Sequence, residues 1–197
     1  MTTTELANIS LGHIGCNLIQ SLDEESPQAE HCNRMWVFVR DALLRQRQWN
    51  FAMHRVSLSR LEDDPAFGWA AAYALPEDYI LAVEWNGQKA GTGEAKFDIE
   101  DGKLLCDDIE RAELRYVRRI TATQKWDANF CEAFTFKLAA AIAPAISSSS
   151  SIADSMLQKA DAFLLRAFGP DNVETRPAAV LAQEGSGWLK ARMGASN

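Results

Sequence analysis

The side chains of this sequence with the types to do chemistry are three histidines, four cysteines and two short acidic runs. His13, His31 and His54 lie far apart. No two of them stand at the i, i+4 spacing that would set a pair of imidazoles on one helix face for a metal ion. Cys16, Cys32, Cys106 and Cys131 show neither Cys-x-x-Cys nor His-x-Cys spacing, which argues against zinc and favours buried free thiols in a reducing cytoplasm. His31 and Cys32 are adjacent and suggest a Cys/His nucleophile, but neighbours on a helix point about 100° apart and do not face each other. Glu62-Asp63-Asp64 and Glu77-Asp78 offer the paired carboxylates a glycosidase needs. The competing reading is a solvated loop for the first and, after Pro76, a turn entering a strand for the second. Gly185-Ser186-Gly187 is not a nucleophile elbow. Gly87-Gln88-Lys89-Ala90-Gly91 lacks the spacing of a phosphate loop. The sequence therefore yields no catalytic, cofactor-binding or metal-binding residues and implies no cofactor.

The bulk properties point the same way. At 197 residues the chain is long enough for one domain with a substantial core. Hydrophobic residues make up 47% and charged residues 24%, as in ordinary globular proteins. A net charge of −7 argues against a general nucleic-acid binder. Six tryptophans are many for this length, and tryptophan favours interfaces as well as cores. The N-terminus lacks the pattern of a signal peptide. No apolar run is long enough to span a membrane; the nearest, Leu138 to Ile146, contains Pro144.

What must position these residues is a set of helices around an extended middle. Leu6, Ile9, Leu11, Ile14 and Leu18 predict a helix over about residues 4–20, interrupted near Gly12 and Gly15. Ser26-Pro27 is a helix start, with Ser as cap and Pro at the first helical position. Cys32, Met35, Trp36, Val39, Leu43 and Leu44 line one face of the helix that follows, to about residue 47. Alternating segments at Val56–Ser59, Tyr79–Trp85, Lys96–Glu100, Lys103–Cys106 and Glu113–Ile120 predict a small antiparallel sheet within about residues 50–120. Asn86-Gly87 and Asp101-Gly102 are its hairpin turns. Asp127 caps a third helix over 128–146. A fourth runs over 151–168, starting in a serine run and ending at Gly169-Pro170. The expected fold is mainly α (α+β): a four-helix bundle with an inserted small antiparallel β-region, forming one domain over residues 1–170. Residues 171–197 form an extended C-terminal arm with Trp188-Leu189 as its apolar anchor.

Basic residues cluster at the end of the second helix (Arg40, Arg45, Arg47) and in the last strand (Arg111, Arg115, Arg118, Arg119). On an acidic chain, such clusters suit contacts between an acidic and a basic face of neighbouring copies. Ordinary solvated surface is the other reading, and helix C-termini attract cations in any case.

The order of several short words resembles a known family. They are Ser21-Leu22-Asp23-Glu24, the corner Leu44-Arg45-Gln46-Arg47-Gln48-Trp49-Asn50-Phe51-Ala52, Phe67-Gly68-Trp69, Leu75-Pro76-Glu77-Asp78 and Trp126-Asp127. Together they resemble the head-to-tail adaptor proteins of tailed bacteriophages, the group that includes the tail tubular protein A of short-tailed phages. The resemblance covers roughly residues 6–168. It departs at Arg47-Gln48-Trp49, where relatives tend to show His-Pro-Trp, and the C-terminal tail matches no family pattern. The resemblance implies a structural virion protein of the tail or neck, assembled in the host cytoplasm. It implies a ring, typically of twelve copies, that sits below the portal protein, extends the DNA channel and docks the nozzle or next tail component. Double-stranded DNA would pass without specific binding, and an acidic lumen suits sliding. By the same analogy the arm, through Trp188 and Leu189, embraces the portal, while Arg45, Arg47, Arg115, Arg118 and Arg119 are candidates for contacts between copies. Two alternatives stay open: an adaptor with a cell-wall or polysaccharide hydrolase side activity, and a bacterial interaction module.

Overall fold

The computed structural model describes residues 1–147 and 150–167. Helix α1 (Thr3–His13) opens on a reciprocal cap: Thr2 Oγ1 accepts from Glu5 N, and the Glu5 carboxylate accepts from Thr2 N. It stops well before residue 20. Gly15 takes φ +70°, and the Asn8 side chain then bonds both the N–H and the carbonyl of Ile19, folding the segment back onto the helix. Helix α2 (Pro27–Gln46) begins as the sequence predicts, with Ser26 Oγ accepting from Ala29 N and Pro27 at the first position. Helix α3 (Ala128–Ile146) is capped by Asp127, whose Oδ1 accepts from Asn129 N. Pro144 lies inside α3 without ending it. Helix α4 spans Ser150–Ala167.

The strands are β1 (Met53–Ser57), β2 (Ala71–Ala74), β3 (Tyr79–Trp85), β4 (Gln88–Lys89), β5 (Asp98–Glu100), β6 (Lys103–Cys106) and β7 (Glu113–Arg118). They form two antiparallel sheets, not one: a four-stranded sheet ordered β1-β7-β3-β4 and a three-stranded sheet ordered β2-β6-β5. Both expected hairpin turns are present, with positive φ at Asn86, Gly87, Asp101 and Gly102, the geometry two-residue hairpins require.

The four-helix bundle is not what forms. The main helix–helix packing runs through α3, which carries α1, α2 and α4 against it. The apolar faces of α2 and α3 are closed by a sheet. Ile80 and Val83 of β3, Val117 of β7 and Ile120 bury with Leu43, Leu44, Phe130, Phe134 and Leu138 in one core. The opposite face of the same sheet sends Ala82, Trp85, Leu114 and Tyr116 against Ala71, Tyr73, Leu104 and Cys106 in a second core. The result is three layers: helices, the four-stranded sheet, then the three-stranded sheet. Irregularities in the β3–β7 register let Ile80, Leu81 and Val83 serve the helical side while Ala82 and Trp85 serve the other.

The Trp-Asn-Phe corner works as an anchor. Arg47 leaves α2 in extended conformation, and Asn50–Ala52 makes one 3₁₀ turn into β1. Trp49 is buried, edge-on to Phe130 at 4.9 Å, and its indole N–H donates to the Leu43 carbonyl at 3.0 Å. Trp126 mirrors it, donating to Ile120 O at 2.9 Å and packing on Phe130 and Phe134.

Candidate functional site

The arginines singled out by the sequence converge in part. Register places Arg118 of β7 opposite Tyr79 at the entry to β3. Arg45, in the last turn of α2, donates through Nη1 to Ile80 O at 2.6 Å. Arg119 donates through its backbone N–H to Asp78 O, through Nη1 to Glu77 O and through Nε to Asp41 Oδ2 at 2.8 Å. Asp41 also takes Arg40 Nε at 2.7 Å. Arg45, Arg118 and Arg119 thus gather where α2, β7 and the start of β3 meet. Arg115 stands farther along the sheet, paired to Glu84 at 2.6 Å, with Arg55 of β1 on its other side. Arg47 sits half-buried where the chain leaves α2.

Arg118 differs from its neighbours. Its Nε is sealed from solvent and has no acceptor among the described residues. Around it lies an aromatic group: Tyr79 stacks on Tyr116 with ring centroids 6.0 Å apart, and His54 meets Tyr116 edge-on at 5.7 Å.

The two carboxylates considered for hydrolysis are in unlike surroundings. Glu77 is exposed. Asp78 Oδ1 accepts from the Tyr116 hydroxyl at 2.8 Å, so its charge serves to fix the Leu75–Asp78 turn against β7. Burial, and then the Asp78 carboxylate, push the Tyr116 phenol well above its ordinary range. In the other acidic run, Asp64 pairs with Arg60 at 2.7 Å. That loop borders a shallow hollow with Trp69, Ala72 and Leu105 on the outer side of the three-stranded sheet. Its tip is Phe67, 89% exposed, with Gly68 at φ +86° turning the chain behind it. Among the described residues no three of His, Cys, Asp and Glu converge on a point that would hold a metal ion, and no helix is long and apolar enough to cross a membrane.

Sequence reasoning missed the exposure of Phe67 and of Val37 and Phe38 on the outer face of α2. For α2 the signal was present, since Val37 and Phe38 fall off the stripe made by Cys32, Trp36, Val39 and Leu43. Trp188 and Leu189 lie outside the described residues.

Comparison with protein-family models finds no match to this chain, and no curated protein matches it.

Proposed function

We propose that this chain is a structural virion protein, a head-to-tail adaptor that joins a ring of copies below a phage portal. One observation carries the reading. Two of the words that resemble the adaptor family, the corner at Trp49 and the helix start at Trp126, are framework elements of this fold and meet on one ring, although they lie far apart in sequence. Trp49 of the corner packs on Phe130, and Trp126 packs on the same ring. The Leu75–Asp78 turn is held by Tyr116 and Arg119, and Arg119 reaches back to α2 through Asp41. Asp78, one of the two carboxylates considered for hydrolysis, is used to hold the turn to β7, which suits a building block.

In this reading the ring, of about twelve copies by the family resemblance, extends the DNA channel and offers its far face to the nozzle or next tail component. Passing DNA is not gripped, in keeping with a chain of net charge −7. The C-terminal arm, with Trp188 and Leu189, engages the portal. The test is native mass and negative-stain imaging of the purified chain, alone and mixed with the portal encoded in the same genome. A ring stacked under the portal, one copy per portal subunit, supports the adaptor role. Absence of association at any salt concentration removes it.

A further inference from the structure

We infer that two open sheet edges on opposite flanks of this chain pair with each other between copies, β1 of one copy adding as an antiparallel strand to β5 of the next. The contact rests on the multi-copy assembly proposed above.

Register fixes which backbone groups are free. Leu58 N donates to Ala112 O, and Asn86 N donates to Glu113 O. Bonded pairs alternate along an antiparallel ladder. His54 and Val56 therefore bond β7, while Arg55 and Ser57 turn their N–H and C=O outward. In the three-stranded sheet, Ala74 N donates to Ser59 O and Ala72 O accepts from Leu61 N. Tyr73 thus bonds Leu104, and Asp98 and Glu100 bond Leu105 and Lys103. That leaves Ile99 facing outward. Among the described residues no chain is hydrogen-bonded to these outward groups, and β5 is exposed along its whole length. An open strand edge is a template for another strand.

The two edges lie on opposite flanks. The strand orders are β1-β7-β3-β4 and β2-β6-β5, and residues 59–61, just after β1, pair with β2. One flank therefore holds β1 and β2, and the other holds β4 and β5. A contact between unlike flanks repeats from copy to copy and closes into a ring where the rotation allows.

Charge selects the partner. Strand β5 carries Asp98 and Glu100 and no cation; β1 carries His54 and Arg55 and no acid. Two β5 strands paired about Ile99 would set Asp98 opposite Glu100, and two β1 strands paired about Arg55 would set two guanidiniums together. Both arrangements repel. Strand β1 on β5 does neither. Outward residues must face outward residues. The Met53 N–H is already taken by the Asn50 carbonyl, and centring on Ser57 carries Asp98 past the end of β1, so Ile99 meets Arg55. Glu100 then lies across from His54, and Asp101 lies diagonal to Arg55. The Arg55 side chain is 74% exposed and stands 3.9 Å from Glu84, beyond hydrogen-bond reach, so it is open to a second carboxylate.

The experiment uses the full chain. Ile99→Pro removes the outward N–H and no bond to β6. Arg55→Glu reverses the charge on β1. Both are expected to leave the thermal midpoint of the dilute chain little changed. In sedimentation velocity Ile99→Pro should weaken self-association about threefold to tenfold, and Arg55→Glu about tenfold or more. His54→Cys with Glu100→Cys, in a Cys16→Ser background, should give on oxidation a ladder of linked copies, free or on the portal of the same genome. Either cysteine alone should give nothing beyond a dimer. Should Ile99→Pro lower the midpoint, the cross-link decides. Amide exchange at Arg55, Ser57 and Ile99 should be fast in the dilute chain and slow on association. Slow exchange at these amides in the dilute chain would show its own chain covering an edge and overturn the inference. So would assembly without the ladder, or a parent chain that never associates with itself, free or on the portal. Edge-dependent association without portal binding leaves this pairing standing and removes the adaptor role. A portal-bound ring that forms no ladder does the reverse.

Discussion

Arg119 Nε lies 2.8 Å from Asp41 Oδ2 across 78 residues of sequence, and the other oxygen of the same carboxylate takes Arg40 Nε at 2.7 Å. One acid thus joins the end of β7 to the middle of α2 and neutralises an arginine that is only 6% exposed. Because Arg40 is buried and Arg119 partly exposed, the two ends of this bridge are unequal. Asp41→Ala strands a buried guanidinium and is expected to cost about 3 kcal/mol. Arg119→Ala, at the wetter end, should cost about 1 kcal/mol. In urea unfolding the double variant should be hardly less stable than Asp41→Ala alone. Additive losses would mean that the bridge does not exist in solution.

The corner residue Trp49 sets how α2 hands over to β1. Its ring lies edge-on to Phe130, and its N–H answers a carbonyl of the last turns of α2. Trp49→Phe keeps an aromatic body and loses that hydrogen bond, for about 1–2 kcal/mol. Trp49→Ala also opens a cavity and should cost about 3–5 kcal/mol. Guanidinium unfolding separates the two, and equal small losses would show that the corner is not an anchor.

Local signals made the helix starts and hairpin turns legible. Ser26-Pro27, Asp127, Asn86-Gly87 and Asp101-Gly102 each encode a backbone conformation by themselves. The layers were not legible. An apolar stripe says that a helix buries one face and is silent about whether another helix or a sheet covers it. Hence α2 and α3 read as bundle helices although Ile80, Val83 and Val117 close their core. Strand β2 escaped notice because Ala71-Ala72-Tyr73-Ala74 has no β-branched residue; it is a strand through its pairing with β6. The arginines were visible as a cluster, but their acceptors at Asp41, Ile80 and Glu84 are tens of residues away. Which of them is uncommitted could be learned only from the fold.

The cysteines should react in order of access. Cys16 is partly exposed, whereas Cys32, Cys106 and Cys131 are buried, and none is in a disulfide. A thiol reagent at neutral pH is expected to modify Cys16 in the native chain and the other three only on unfolding. Burial, with Cys16 nearby as a lesser cause, pushes the Cys32 thiol up to about 11. Its folded-state value is therefore above that of the unfolded chain, near 8.5. The stabilising protonated form is fully present below about pH 8.5, and its contribution is lost as pH rises toward 11. Cys32→Ala should flatten this part of the alkaline stability curve, and an unchanged slope would count against it.

His13 gives a sensitivity of opposite sign. It stacks on Phe136 of α3 at 4.5 Å. Burial, and then Lys159 of α4, lower its pKa, with Glu132 opposing. The neutral ring is the form the fold prefers. Its contribution is present above about pH 6.5, the ordinary value, and is lost as pH falls through the lowered folded value. The parent chain should lose stability on mild acidification more steeply than His13→Phe, as read by thermal midpoints between about pH 7 and pH 5. Parallel curves would show that His13 is solvated.

Glu77 and Asp78 separate a structural turn from a hydrolytic pair. Asp78 accepts from Tyr116 and its carbonyl accepts from Arg119, while the Glu77 side chain is exposed. If the turn is structural, Asp78→Ala leaves the buried Tyr116 hydroxyl without an acceptor and costs about 1–3 kcal/mol. Glu77→Gln should then lie within about 0.5 kcal/mol of the parent. Tyr116→Phe removes donor and hydroxyl together and should cost less than Asp78→Ala. A hydrolytic pair makes the opposite demand: both carboxylates matter for turnover, and Glu77→Gln abolishes it with the fold intact. Stability of the three variants and release of reducing sugar from peptidoglycan, measured side by side, decide the matter. Turnover that disappears in Glu77→Gln at unchanged stability would make the turn a catalytic site, and losses confined to stability in Asp78→Ala would make it a clamp between β3 and β7.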